Sequence, residues 1–196
     1  MKLLLLSDEE DKYLWDYYQP GRLDGIDLIL SAGDLRADYL SFLVTMANRP
    51  LLYVHGNHDA AYDIHPPEGC DCIDDRLVIM NGLRILGLGG SRQYNGGTYQ
   101  YTERQMARRI LRLRLALFRA GGVDLVLTHA APRKLGDRDD PAHQGFTSFL
   151  PLLEMYQPAY WVHGHVHTRY QPNHPRILEH GATKIINACG RYVLEI

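Results

Sequence analysis

The chain has 196 residues, 45% hydrophobic and 22% charged, with a formal net charge of -2. That size and balance fit one packed domain over residues 1–196 and exclude a disordered chain. The near-neutral charge supplies no global field toward nucleic acid or acidic membranes. Cys70, Cys72 and Cys189 are too few for a disulfide framework, and no second cysteine pair exists to complete a structural zinc site. All three read as free thiols in a reducing compartment.

In chain order, Lys2–Leu6 is a continuous apolar run, the mark of a strand buried on both faces. This run is too short for a secretory signal, and no stretch of about 18 apolar residues could span a bilayer, so a soluble cytoplasmic protein is expected. Lys12–Tyr18 (KYLWDYY) reads as a helix stopped by Pro20-Gly21, and Asp27–Ser31 as a second buried strand. A helix over Asp38–Ala47 leads to a third strand at Leu51–Val54. RLVIM, Asn81-Gly82 and LRILGLG form a hairpin, because Asn-Gly suits a two-residue turn with positive φ. Met106, Ile110, Leu113 and Leu117 mark a helix over Thr102–Ala120 that Gly121-Gly122 ends. Val123–Thr128 returns as a strand, Thr147–Tyr156 as a helix and Ala159–His163 as a strand, and TKIINA and RYVLEI look like paired strands. The fold class is α/β with at least one mixed sheet.

Chemistry-bearing residues cluster where these strands end. Asp8 and Glu10 follow the first, Gly33-Asp34 the second and Gly56-Asn57-His58-Asp59 the third. His129 follows Val123–Thr128, and Gly164-His165-Val166-His167 follows Ala159–His163. Ligands of open α/β sheets collect beyond the carboxyl ends of the strands. His163, His165 and His167 alternate, the period of an extended strand that would turn three imidazoles to one side. Taken singly, each motif is better explained by a hydrogen-bonded core group. Taken together, they suit two divalent cations about 3.5–4 Å apart that clamp a phosphate ester. Such a pair needs a bridging carboxylate; Asp34 can supply it, because Gly33 lets the backbone turn tightly.

The motifs GD (Gly33–Asp34), GNHD (Gly56–Asp59), LTHAAP (Leu127–Pro132) and GHVH (Gly164–His167) run in one order that resembles the calcineurin-like metallophosphoesterase superfamily. The resemblance implies a sandwich of two mixed β-sheets flanked by helices, with a dinuclear metal site at the carboxyl ends of the strands. It implies that one metal takes Asp8, the residue at position 10, Asp34 and His167. The other would take Asp34, Asn57, His129 and His165. His58 would donate a proton or hydrogen bond to the leaving group, and Asp59 would either orient His58 or cap the following turn. His163 is expected to pack at the strand end.

Position 10 departs from the family pattern Asp-x-His, since this chain has Asp8-Glu9-Glu10. Glu10 is expected as the ligand, with Glu9 diverging on an extended segment. Oxygen-rich ligation then favours Mn²⁺, although Fe, Zn, Ni or Mg also fit.

Three further segments stay open. Gly89–Tyr101 could hold a substrate phosphate through Arg92 or be an ordinary connection. The long loop after His129 is either a substrate wall or a surface excursion. The six arginines of the Thr102–Ala120 helix are read as a solvated face. The function expected is hydrolysis of small phosphodiesters or phosphomonoesters, nucleotide-type substrates favoured, by in-line attack of a metal-bound hydroxide. A nuclease of the same superfamily and a weakly active interaction module are the alternatives. Neither membrane nor nucleic acid is expected as a partner.

Overall fold

The structure, a computed structural model, describes residues 1–167 and 175–196. Its first sheet joins β1 (Lys2–Ser7), β2 (Leu28–Ser31), β3 (Leu51–Tyr53) and β4 (Asp71–Cys72) in parallel. β13 (Gly190–Glu195) adds antiparallel to β1 at one edge. The second sheet has the order β11 (Ile177–His180), β12 (Thr183–Asn187), β10 (Tyr160–His163), β9 (Leu125–Thr128), β6 (Leu83–Leu88), β5 (Arg76–Met80). Its inner strands are parallel and its outer pairs antiparallel, so both sheets are mixed. A short parallel ribbon pairs β7 (Ser91–Arg92) with β8 (Gln100–Tyr101).

Strand period two explains the layering. Leu3, Leu5, Leu28 and Leu30 of the first sheet meet Ile85, Leu125, Leu127 and Val162 of the second in a common core. Leu4, Leu6 and Ile29 face the other way, against Tyr39, Leu40 and Leu43 of α1 (Ala37–Ala47). Val126 and Trp161 likewise face Met106, Leu113 and Leu117 of α2 (Glu103–Ala120) and Phe149, Leu152 and Leu153 of α3 (Phe149–Tyr156). A run such as Leu3–Leu6 must be apolar throughout because both of its faces are covered.

Local signals set the element ends. Thr102 and Gln105 form a capping box at the start of α2, and Gly121 ends it at φ 69. Asn81 and Gly82 have φ 52 and 84, the positive pair that a tight hairpin turn requires. Five of the six α2 arginines are exposed, but Arg109 is buried. Its Nε donates to Asp75 at 2.7 Å, Nη1 donates to the Gly89 carbonyl at 2.7 Å, and its guanidinium lies over Tyr101. The three cysteines are free thiols, and no helix of the described residues is long and apolar enough to cross a membrane.

Two expectations are corrected. Lys12–Tyr18 forms turns rather than a helix. The Arg22 guanidinium occupies the carbonyls of Tyr13 and Tyr17, and Trp15 and Tyr18 pack edge-on against Tyr39 and Phe42 of α1. Tertiary burial of aromatics, which are mediocre helix formers, outweighs the local pattern. TKIINA and RYVLEI are both strands, but they do not pair with each other. The chain crosses between sheets at Ala188–Cys189, so β12 joins β10 and β11 while β13 joins β1.

A Cβ on Gly33, at φ 92, would lie 2.3 Å from the Gly56 nitrogen. Gly33→Ala should therefore destabilise the protein by more than about 3 kcal/mol in chemical denaturation. Gly82→Ala, whose Cβ would meet nothing within 4 Å, should show only the left-handed strain of about 1–2 kcal/mol.

Candidate metal centre

The parallel strands of both sheets deliver their ends to one place, and backbone N–H groups set the carboxylates there. Both oxygens of Asp8 accept from the His165 N–H, at 3.1 and 2.9 Å. Asp34 Oδ1 accepts the His58 N–H at 2.8 Å. Asp59 Oδ2 accepts the N–H groups of Asp34 at 2.9 Å and Gly56 at 2.7 Å. Asp8, Asp34 and His165 sit at φ 62, 58 and 68, a left-handed conformation that non-glycine residues adopt under constraint. Gly56 and Gly164 are required for close approach: a Cβ on either would fall within 2.6 Å of the carboxylate of Asp34 or Asp8.

Asp34, Asn57, His129 and His165 are brought together. His129 is fully buried, and its Nδ1 lies 2.7 Å from the Ala32 carbonyl. That contact requires the Nδ1 proton, which leaves Nε2 to face Asn57 Oδ1 at 3.1 Å and Asp34 Oδ2 at 3.3 Å. A backbone carbonyl fixing the remote nitrogen is the usual way that a ligating imidazole is oriented. His165 Nε2 lies 2.6 Å from the Ala142 carbonyl, and donor atoms of Asp34, His129 and His165 all fall within 4.8 Å of one another. Three electron-pair donors converging on one point need either a proton or a cation between them, so this set fits a metal ion.

The titration shifts express the same crowding. Burial opposes charging of His129, but the Asp34 carboxylate, helped by Asp8, holds its pKa up at about 9. Burial and the neighbouring His129 charge push His165 down to about 3. Burial works against the Asp34 carboxylate too, yet the charge and hydrogen bond of His129 keep it below the usual carboxylate range. Asp8 is raised by burial, with His129, Asp34 and His167 close enough to act on it.

His167 has a different set of neighbours from the one expected. Its Nδ1 lies 3.1 Å from Glu9 Oε1, and Glu9, His167 and Cys189 offer donor atoms within 4.8 Å of one another. Glu10 is not brought to His167. Its Oε1 accepts the Arg36 N–H at 3.3 Å, and it borders a cleft of about 490 Å³ with Asp34, His58, Asp59 and Tyr62. Asp8, at φ 62, is not extended, so the side-alternation that favoured Glu10 does not apply there.

His58 is exposed in that cleft. Asp59 holds the Asp34 loop rather than the His58 ring, at the start of a 3₁₀ turn over Asp59–Asp63. Arg92 engages Gln144, tying the Gly89–Tyr101 segment to the loop after His129. His163 is buried at the end of β10, beside Gly136. The three alternating histidines do not share a side, because β10 ends at His163 and His165 is left-handed. Tyr94, whose hydroxyl lies 3.3 Å from Asn57 Nδ2, and the carbonyls of Ala32 and Ala142 escaped sequence reasoning. Backbone acceptors leave no residue-type signal at all.

The calcineurin-like phosphoesterase family model matches residues 7–169. The crystal structure of TT1561 from Thermus thermophilus superposes with a TM-score of 0.61 at 16% identity, covering 96% of this chain and 89% of that one. At that identity the likeness speaks for the fold alone. A protein of unknown function from Aquifex aeolicus, AQ665, gives a TM-score of 0.38 at 18% identity over 80% of this chain and 86% of that one, too low to carry an argument. No curated protein matches.

Asp59 generates a test of the scaffold. Asp59→Ala strands one buried and one part-buried N–H group and should destabilise by about 2–4 kcal/mol, whereas Asp59→Asn keeps an acceptor and should change little. Burial, then the Asp34 charge, raises the Asp59 pKa to about 6. A raised carboxyl pKa gives stability that is present below the unfolded value and is lost as pH rises through the folded one. In metal-free protein, denaturation midpoints should accordingly fall from about pH 4 to about pH 6 relative to Asp59→Asn.

Proposed function

The chain belongs to the calcineurin-like phosphoesterase family, and on that premise we propose that it hydrolyses small phosphate esters with two divalent metals, nucleotide-type phosphodiesters being favoured. The observation that carries this reading is the convergence of His129 Nε2, Asp34 Oδ2 and Asn57 Oδ1, with His129 Nδ1 anchored on a backbone carbonyl. One metal position is assigned to Asp34, Asn57, His129 and His165. The other is assigned to Asp8, Asp34, His167 and Glu9, which replaces Glu10 because its carboxylate lies at His167. When bound, the metals supply Lewis-acid polarisation of the phosphoryl group and a more acidic water.

The protein supplies the rest. The Ala32 and Ala142 carbonyls aim the two imidazoles, and the His58 N–H fixes one Asp34 oxygen while the other faces His129 Nε2. The His58 imidazole, exposed at the cleft, would give a proton to the departing alcohol oxygen. A cleft of about 490 Å³ edged by Arg36, His58, Tyr62 and His65 suits a mononucleotide-sized ester better than a folded phosphoprotein. The donors at the second position are oxygen-rich, which makes Mn²⁺ the metal to load first. The Cys189 thiol beside Glu9 and His167 would favour a softer ion if it ionised.

Elemental analysis after Mn²⁺ saturation and desalting should find two metals per chain. His129→Ala and His165→Ala should each lose the same one, and Glu9→Gln the other, while Glu10→Gln keeps both. His58→Ala should retain both metals and lower kcat on bis-p-nitrophenyl phosphate by about 10²–10⁴. Stoichiometry near zero would end the enzyme reading, and loss of metal in Glu10→Gln alone would return the ligand role to Glu10.

A further inference from the structure

Behind the loop that carries Asn57 and His58, three side chains outside the candidate centre converge: His55, Cys72 and Asp74. Strand register brings them there. Tyr53 pairs with Cys72 between parallel β3 and β4, so His55, two residues on, runs beside Asp74, two residues on. Cys72 and Asp74 leave the extended chain on one side, and Ile73 between them is buried in the core between the sheets. Asp74 Oδ2 lies 2.8 Å from His55 Nδ1, and Cys72 Sγ lies 3.7 Å from the same nitrogen. Asp74 is aimed by its backbone partners, accepting the N–H groups of Gly89 at 2.7 Å and His55 at 3.4 Å. The Tyr99 ring stacks on His55 with centroids 4.3 Å apart.

Both contacts fall on one ring nitrogen. That excludes a Cys–His–Asp relay, in which sulfur and carboxylate must occupy opposite nitrogens. A single Nδ1 proton serves the carboxylate and leaves sulfur with a marginal contact, whereas a cation would engage all three donors. Tetrahedral zinc, with Zn–N about 2.0 Å and Zn–S about 2.3 Å, separates nitrogen from sulfur by about 3.5 Å. The observed 3.7 Å already matches that edge. The N–O edge, about 3.3 Å in the same geometry, requires Asp74 and His55 to part by about 0.5 Å.

We propose that His55 Nδ1, Cys72 Sγ and Asp74 Oδ2 form a further site for a divalent transition metal of the zinc type, structural in role and separate from the candidate centre. Mixed nitrogen, sulfur and oxygen donors select zinc or cobalt over the all-oxygen preference of magnesium. Metal there would tie the end of β3, and with it the Asn57–His58 loop, to β4 and through Gly89 to the end of β6. The site stands or falls independently of the phosphoesterase reading.

Co²⁺ titration of the full, chelator-treated chain under reducing conditions tests it, read as the near-ultraviolet sulfur-to-cobalt charge-transfer band and as metal bound per chain. Because Cys189 neighbours His167, the titration is run in a Cys189→Ser background. The band should appear there and persist with Cys70→Ser added. Adding Cys72→Ser should abolish it together with one equivalent of Co²⁺, with the far-ultraviolet circular dichroism unchanged. Asp74→Asn, which keeps the Gly89 hydrogen bond, should keep the fold and weaken the Co²⁺ affinity behind the band by about tenfold or more. Absence of the band in the Cys189→Ser protein, or a band and stoichiometry that Cys72→Ser leaves untouched, would overturn the proposal.

Discussion

Backbone N–H groups of one loop donate to the carboxylates of another, and the geometry of the whole centre depends on that interlock. His165 donates to Asp8, His58 to Asp34, Asp34 and Gly56 to Asp59, and His55 and Gly89 to Asp74. All but the Gly56–Asp59 contact, which closes one loop on itself, join segments far apart in sequence, including one between the last motif and the first. Hydrogen bonds to an ionised acceptor are worth about 1.5–3 kcal/mol each. They offset the left-handed strain at Asp8, Asp34 and His165, which is on the order of 1–2 kcal/mol per residue. Glycines at positions 33, 56 and 89 are needed because main chains come closer there than a Cβ allows, and Gly164 because the Ser7 and Asp8 side chains fill the space a Cβ would take.

An interlock built on carboxylates concentrates negative charge, and burial makes that charge costly to leave unpaired. Where no cation is bound, a proton can take its place. His129 is held charged against Asp34 while His165, 4.8 Å away ring to ring, is held neutral. Opposite shifts on adjacent imidazoles follow from one excess charge that the pocket will accept but not two. A cation at His129 Nε2 would take over the role of that proton and leave both imidazoles neutral, the state in which they can ligate.

Most of the architecture could be read in the sequence because burial on both faces demands uninterrupted apolar strands, and turn chemistry is local. Asn81-Gly82 and Gly121 each act within four residues, and the elements that they bound lie where the pattern puts them. Features decided by distant partners were not legible. Lys12–Tyr18 is held in turns by Arg22 and the aromatic face of α1, and the last two strands separate because each finds a partner in a different sheet. At the centre, residue types were legible because converging strand ends carry them. The Ala32 and Ala142 carbonyls that orient the imidazoles were not, since any residue offers a carbonyl.

Two departures from strand parity share one physical origin. Strand parity would turn His163, His165 and His167 to a common side, and would set Glu10 rather than Glu9 on the side of Asp8. It holds only while φ stays in the β region. Asp8 at φ 62 and His165 at φ 68 each bend the chain just where a strand gives way to a loop. After such a residue the parity of the strand no longer says which face a side chain takes, and Glu9 is free to meet His167. The same left-handed steps let the Asp8 carboxylate turn back to receive the His165 N–H, so the conformation that defeats the pattern is also the one that assembles the site. Departures from strand parity are therefore to be expected where a strand end passes into a left-handed residue, as it does at Asp8 and His165.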